Sequence, residues 1–236
     1  MPHTYRVDRK EECKPYKASE FFRTLSAAAL ADFESLAIRQ TYAPREVLFE
    51  EKRNPSRVFV LLEGQVKLSM NSMDGRRLIL RIAGPGELPG LTSVLSGKEY
   101  EMTAEVLCPC KIASMHRQEF LGFLLRHPAA YASVARDLSQ EYTRACEQLR
   151  TVGLAATAPV KLARLLLELC GGAQQTERGT QFRLTLTHGE IGECIGTSRE
   201  TVTRTLSDFK SRHLLDFRGS TLMIHNHLAL ANCAEV

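Results

Sequence analysis

The sequence predicts an α+β chain with a β-rich first half, a long central helix and a helical second half that ends in a short hairpin. Three observations carry this. Between residues 42 and 112 short apolar runs are split by turn residues; from Tyr131 apolar residues recur at alternating spacings of four and three; after Gly171-Gly172 two short amphipathic segments meet at a glycine. At 236 residues the chain suits two moderate domains, each able to own a core.

Composition narrows the class. Hydrophobic residues make up 44% and charged residues 25%, close to the average for a globular protein, so neither disorder nor a fibrous structure is expected. No apolar run approaches bilayer length, and the charged start MPHTYRVDRKEECKPYK does not resemble a leader, so the expected location is the cytoplasm, with no membrane partner. The seven cysteines are odd in number and lie mostly in apolar segments, which speaks for buried thiols rather than a disulfide framework. A net charge of +4 is weak support for nucleic-acid binding, which therefore needs a local patch.

In the first half, residues 1–24 read as an arm, followed by a helix near 26–38. Apolar runs at 47–49, 58–62, 66–70, 78–82 and 104–107 then read as strands. Val66, Leu68 and Met70 alternate, as do Leu78, Leu80 and Ile82, with Asp74-Gly75 between them, which is a hairpin pattern. Glycines at 64, 84, 86, 90 and 97 punctuate the rest, and a small antiparallel barrel or jelly roll accommodates them.

After Pro128, Tyr131, Ala135, Leu138, Tyr142, Ala145, Leu149 and Val152 occupy heptad core positions, flanked by charged and polar residues. So narrow a seam fits a two-stranded coiled coil; the alternative is a helix packed on its own barrel. Residues 153–159 read as a hinge, followed by a helix at 160–170 and a strand at 181–186.

The functional pattern lies in THGEIGECIGTSRETVTRTLSDFKSRHLLDFRGSTLMIHN. Thr187 and Glu190 form a capping box before a helix that buries Ile191 and Ile195 and stops at Gly196. Thr197 or Ser198 caps the next helix, which gathers Val202, Leu206 and Phe209 on one side and Arg199, Glu200, Thr203, Arg204 and Ser207 on the other. This is a helix-turn-helix pattern, and Arg218-Gly219-Ser220 adds a basic-tipped hairpin able to meet phosphate. Arginine bonds guanine bidentately and a carboxylate accepts from cytosine, so Arg199, Glu200 and Arg204 suit a G·C-containing site. Glu200 could instead serve as a cap or as an i,i+4 partner of Arg204.

GEIGECIGTSRETVTRTLSDFKSRHLL resembles the DNA-binding domain of the cyclic-AMP receptor / fumarate-and-nitrate-reduction regulator (Crp/Fnr) family, with SRETVTR its most specific part. Upstream, VFVLLEGQVKLS and GPGELPG resemble that family's β-roll effector domain, and the heptad helix falls where the family dimerises. The resemblance covers about residues 20–230. It implies an N-terminal arm (1–24), a jelly-roll-like β-roll sensor (25–127), a dimerisation helix (128–153) and a winged helix-turn-helix (154–236). It further implies a homodimer on palindromic double-stranded DNA with half-sites related to TGTGA or TTGAT, and RNA polymerase as partner if the protein activates. The implied base-reading positions are Arg199, Glu200 and Arg204, with Thr203 as a further selector, Ser198 at the helix start and Arg218 on the wing.

The effector is unknown. Aligning Gly86 and Gly90 with the family's two glycines puts the ribose acid at Leu91 and the phosphate arginine at Glu101, beside Met102. Glu87 has no role in that register, and a phosphate beside Glu101 would lack a cation, so cyclic AMP is not expected. An iron–sulfur cluster normally needs four thiolates, and Cys13 with Cys110 is too few. Cys108 and Cys110 are expected on opposite faces of one strand, the alternative being a redox-active pair in a redox-sensing member of the family; Cys146 and Cys194 are expected in cores, and haem would have only His116 or His127. Residues 40–115 contain no histidine, which argues against a metal-dependent enzyme on this roll. His225 and His227 read as a solvated strand end. A regulatory domain acting on a protein partner would not need the Arg199/Glu200/Arg204 row.

Overall fold

A computed structural model describes residues 20–153, 157–170, 174–176 and 179–235. The chain forms two compact units. One comprises the described residues up to Leu68 with Ile82–Thr143, and the other takes in the hairpin segment Ser69–Arg81 with the chain from Arg144 onward.

In the first unit α1 (Glu20–Arg23) and α2 (Ala27–Leu36) precede the strands. Ser26 caps α2, accepting from the Ala29 N–H at 3.2 Å. The expected helix end at residue 38 is too late, because Ile38 already pairs with Ser114 as the start of β1 (Ile38–Tyr42). There follow β2 (Val47–Phe49), β3 (Arg57–Glu63), β4 (Val66–Asn71), β5 (Arg77–Ala83), α3 (Leu91–Ser96), β6 (Thr103–Val106) and β7 (Cys110–His116). One sheet has the order β1-β7-β3 and the other β2-β6-β4-β5, with antiparallel pairing of β1 and β3 to β7. Helices α4 (Arg117–Arg126) and α5 (Ala130–Gly153) come next.

Strand β3 shows why the roll holds together. Its sequence RVFVLLE has no polar alternation because both of its faces are covered. Val58, Val60 and Leu62 enter a core shared with Phe21, Phe33, Phe120 and Phe123 of the helices, whereas Phe59 and Leu61 enter the core that holds Phe49, Val66, Leu68 and Tyr100. Strand β7 divides the same way, with Ala113 and Met115 in the first cluster and Cys110 and Ile112 in the second.

The Asp74-Gly75 turn forms as expected, with Gly75 at φ 80°. The alternation assigned to β5 does not match its burial, however. Ile79 and Ala83 are the buried residues, and Leu78, Leu80 and Ile82 are only half-buried. Lys67 on β4 is buried as well, held by Glu105 at 2.8 Å.

Several thiols and histidines lie where their chemistry is restrained. Cys110 is buried and donates to the carbonyls of Cys108 and Gln65, at 3.0 and 3.3 Å. Cys108 sits half-buried in the turn before β7 rather than across a strand from Cys110, and Cys146 is half-buried rather than in a core. Cys194 and Cys170 are buried; Cys13 lies outside the described residues. His127 contacts the Asp32 carboxylate at 2.8 Å, and this bond, with that of Arg126, holds the Asp32 carboxyl below its usual range. His116 is exposed at the start of α4, and its backbone N–H donates to Glu119. Among the described residues no group of three or more His, Cys, Asp or Glu side chains converges as a metal site, and no helix is long and apolar enough to cross a membrane.

The second unit holds the latter part of α5, then α6 (Ala158–Leu169), β8 (Gln174–Thr176), β9 (Gly179–Arg183), α7 (His188–Ile195), α8 (Arg199–Ser211), β10 (Leu215–Arg218), β11 (Thr221–Ile224) and α9 (His227–Glu235). Its sheet runs β10-β11-β9-β8. The expected strand at 181–186 is centred earlier, because the pairing of Thr180–Arg183 with Thr221–Ile224 sets the register. His225 stands exposed just past the end of β11, as expected, whereas His227 already belongs to a helix. Asn226 accepts from the Ala229 N–H at 2.9 Å and starts α9, which packs on α6, where Arg164 donates to the Ala234 carbonyl.

Burial and the neighbouring Cys108 push the Cys110 thiol up to about 11. At pH 8 almost none of it is thiolate. Alkylation of the native protein at that pH, followed by peptide mass spectrometry, is expected to label Cys108 first and Cys110 only after denaturation; faster labelling of Cys110 would contradict its placement.

Candidate nucleic-acid interface

The α7–α8 pair is set by a capped start, a tight turn and a second cap. Thr187 accepts from the Glu190 N–H at 3.2 Å while the Glu190 carboxylate receives the Thr187 N–H at 2.9 Å. Gly196 ends α7 in the left-handed region, at φ 65°. The Thr197 N–H then returns to the Gly192 carbonyl at 2.9 Å. A Cβ on Gly192 would lie 2.7 Å from the Thr197 carbonyl oxygen, so the turn closes only over a residue without a side chain. Ser198 is the cap of α8, accepting from the Thr201 N–H at 3.2 Å.

With both ends fixed, α8 divides by face. Val202, Thr205, Leu206 and Phe209 are buried, and Arg199, Glu200, Thr203, Arg204 and Ser207 are exposed, as the sequence periodicity predicts. Arg218 stands exposed at the tip of the β10–β11 hairpin, paired across it with Thr221 and followed by Gly219 at φ 62°.

Charge on this face is local. Lys210 is taken up by Asp216 at 2.8 Å and Arg212 by Asp208 at 3.4 Å, whereas Arg199, Arg204 and Arg218 form no ion pair among the described residues. Glu200 does not form the i,i+4 pair with Arg204. Its own backbone N–H and the Ser198 hydroxyl hold its carboxyl below the usual range, with Arg199 adding to the effect. It is therefore ionised at neutral pH and can accept hydrogen bonds.

One neighbour of this face escaped the sequence reading. His188, the first residue of α7, brings Nδ1 to 2.9 Å from the Thr203 hydroxyl, which also donates to the Arg199 carbonyl at 3.0 Å. A contact between residues fifteen apart on two helices leaves no periodic trace.

Other predicted positions fare unevenly. Of the heptad residues, Tyr131, Ala135, Tyr142, Ala145 and Leu149 are exposed. Leu138 instead packs against the phenylalanine-rich core of the first unit, and a Val152 methyl lies over Gly196.

The effector positions do not stand together. Leu91 is 1% exposed in the helix-side core, because Gly90 starts α3 in the left-handed conformation and turns its first side chain inward. Leu91 is thus no ribose-facing residue. Met102 packs on the other core cluster, and Glu101 is exposed, accepting from the buried Ser93 hydroxyl at 2.7 Å. Gly86 sits in a turn at φ 93°, donating to Leu61, and Glu87 is half-buried beside it, accepting from the Gly84 N–H at 3.2 Å. Over Gly90 stack Tyr100 and Phe49, ring centres 4.0 Å apart, so close that a Cβ there would meet both.

Comparison with known proteins agrees with this architecture. Residues 39–127 match the cyclic nucleotide-binding domain family and residues 160–233 the Crp-like helix-turn-helix domain family. A CRP-like cAMP-activated global transcriptional regulator of Mycobacterium tuberculosis is 28% identical over 192 residues, 80% of this chain and 84% of that protein. The nitrogen fixation regulation protein FixK of Bradyrhizobium diazoefficiens is 26% identical over 226 residues, 93% and 89% of the two chains. The solved structure of FixK2 from Bradyrhizobium japonicum shares the fold with a TM-score of 0.75 at 23% identity, covering 84% of this chain and 96% of that one. With a β-roll of the cyclic nucleotide-binding kind followed by a Crp-like helix-turn-helix, the chain belongs to the Crp/Fnr family of DNA-binding transcription regulators.

Proposed function

We propose that the protein works in the cytoplasm as a homodimer on a palindromic operator, with residues 25–127 sensing an effector, 128–153 dimerising and 154–236 reading DNA. The observation that carries this reading is the division of α8 into a dry face and an exposed Arg199/Glu200/Thr203/Arg204 face beside Arg218. In the major groove Arg199 and Arg204 bond guanine O6 and N7, Glu200 accepts from cytosine N4, and Arg218 meets a phosphate. RNA polymerase becomes a partner if the bound dimer activates.

The dimer is built on the exposed part of the seam. Tyr131, Tyr142 and Leu149 are 45%, 73% and 69% exposed, unusual for large apolar residues on a heptad stripe. Two copies joined there would place their α8 helices about one duplex turn, ~34 Å, apart. Leu149→Glu, which does not touch the core that Leu138 serves, is expected to give monomers by light scattering at micromolar protein and to lose operator binding. A dimer that survives this change would place the interface elsewhere.

Base reading separates the residues by kind. Arg199→Ala is expected to weaken the operator by about 1–3 kcal/mol and to relax preference at one base pair per half-site. Arg218→Ala should weaken all sequences evenly and lower the salt slope by about one. Selection from random duplexes decides between them. Glu200→Ala with unchanged base preference would leave that residue as a cap only.

The effector is not cyclic AMP on this reading, although the mycobacterial relative is named as cAMP-activated. Leu91 belongs to the core, and Glu87 is the carboxylate next to the glycine turn. Where the family's phosphate arginine aligns stands an exposed anion, Glu101, so a phosphate there would gain a repulsion and lack a charge-assisted bond. Calorimetry with cyclic AMP up to millimolar is expected to show no saturable heat. Micromolar binding would establish Glu87 as the ribose ligand and a cation from elsewhere in the roll.

A further inference from the structure

We propose that His188 is a positioning residue for base recognition, holding the Thr203 hydroxyl so that it meets DNA only as an acceptor and selects a base carrying an exocyclic amino group, adenine or cytosine. The inference rests on α8 reading the major groove.

A threonine hydroxyl has one proton and two lone pairs, and free on a helix face it can donate to thymine O4 or guanine O6 as readily as it accepts from adenine N6 or cytosine N4. Thr203 is not free. Its Oγ1 lies 3.0 Å from the Arg199 carbonyl, to which it donates, and 2.9 Å from His188 Nδ1. With the proton on the carbonyl, Nδ1–H is the donor to Oγ1, and one lone pair remains for DNA. Were the proton shared with Nδ1 instead, it would still be spent inside the protein.

The bond back to the i−4 carbonyl is common in helices and readily exchanged for a better partner. Turning the proton outward would break the bond to the carbonyl and leave an Oγ1 lone pair facing that oxygen, and swinging Oγ1 away to escape this would break the His188 bond as well. His188 can impose this because its own place is fixed: it lies inside the Thr187/Glu190 capping box, and the Gly192–Thr197 turn sets α7 against α8. Thr203 remains exposed, so its last lone pair faces outward with Arg199 and Arg204 on the same side.

The test is selection from random duplexes with the full-length protein, comparing wild type, His188→Ala, His188→Asn, Thr203→Val and the double variant His188→Ala/Thr203→Val. Wild type is expected to prefer adenine or cytosine over thymine or guanine at one position per half-site on the order of fivefold, the worth of a single hydrogen bond. His188→Ala should reduce this to within about twofold while the other positions and the salt slope stay unchanged, and His188→Asn, which keeps an N–H donor, should restore it. The double variant should read like Thr203→Val alone, since His188 acts through Thr203. A preference that survives His188→Ala would overturn the proposal. So would an even loss across all sequences with a lower salt slope, which would make His188 a phosphate contact. Selection of no sequence by wild type would defeat the DNA reading itself, an outcome separate from either.

Discussion

Only a glycine at position 192 lets the Thr197 carbonyl come as close as it does, and the placement of every exposed polar side chain on α8 follows from that approach. It brings the end of α7 against the start of α8, so the Thr197 N–H can return to Gly192 and Ser198 is left where its hydroxyl caps the next helix. Once the cap and the crossing are fixed, the helical period dictates which residues are dry. Val202, Leu206 and Phe209 must be buried, and Arg199, Glu200, Thr203 and Arg204 have nowhere to point but outward.

Much of this was legible in the sequence because it rests on local rules. Capping boxes, a glycine stop and a 3.6-residue period leave marks within a few positions, and so do heptads and an Asp-Gly hairpin. What was not legible depends on partners distant in sequence. Ile79 rather than Leu80 is buried on β5; nothing in RLILRIA distinguishes the two faces. Leu91 was read by alignment of glycines, but its direction is set by the left-handed Gly90 before it. Leu138 and Val152 keep the heptad spacing of the seam and yet serve their own chain, a choice decided by which surfaces lie against them. The Thr203–His188 contact belongs to the same group, while α9 had a local signal in Asn226 that the neighbouring histidines obscured.

The roll departs from simple alternation because some of its strands serve two cores. Strands covered on both faces, such as β3 and β7, carry two cores at once, so a change of side chain in one cluster is one residue away from the other. The stacked Phe49 and Tyr100 rest on Gly90, the residue that also starts α3, and α3 contributes Leu91 and Val94 to the helix-side core. Within this unit, anything that displaced the aromatic pair would act directly on the backbone where α3 begins.

On the proposed reading, electrostatics divides the labour on the exposed face of α8. A net charge of +4 over the whole chain provides little long-range attraction, so affinity must come from cations that are both exposed and uncommitted. Lys210 and Arg212 are exposed but already answered by Asp216 and Asp208, and recruiting them to phosphate would first require breaking those contacts. Arg199, Arg204 and Arg218 need no such exchange among the described residues. On the proposed reading, an acceptor-only Thr203 and an ionised Glu200 gain nothing from phosphate, and both gain from a base that offers an amino group.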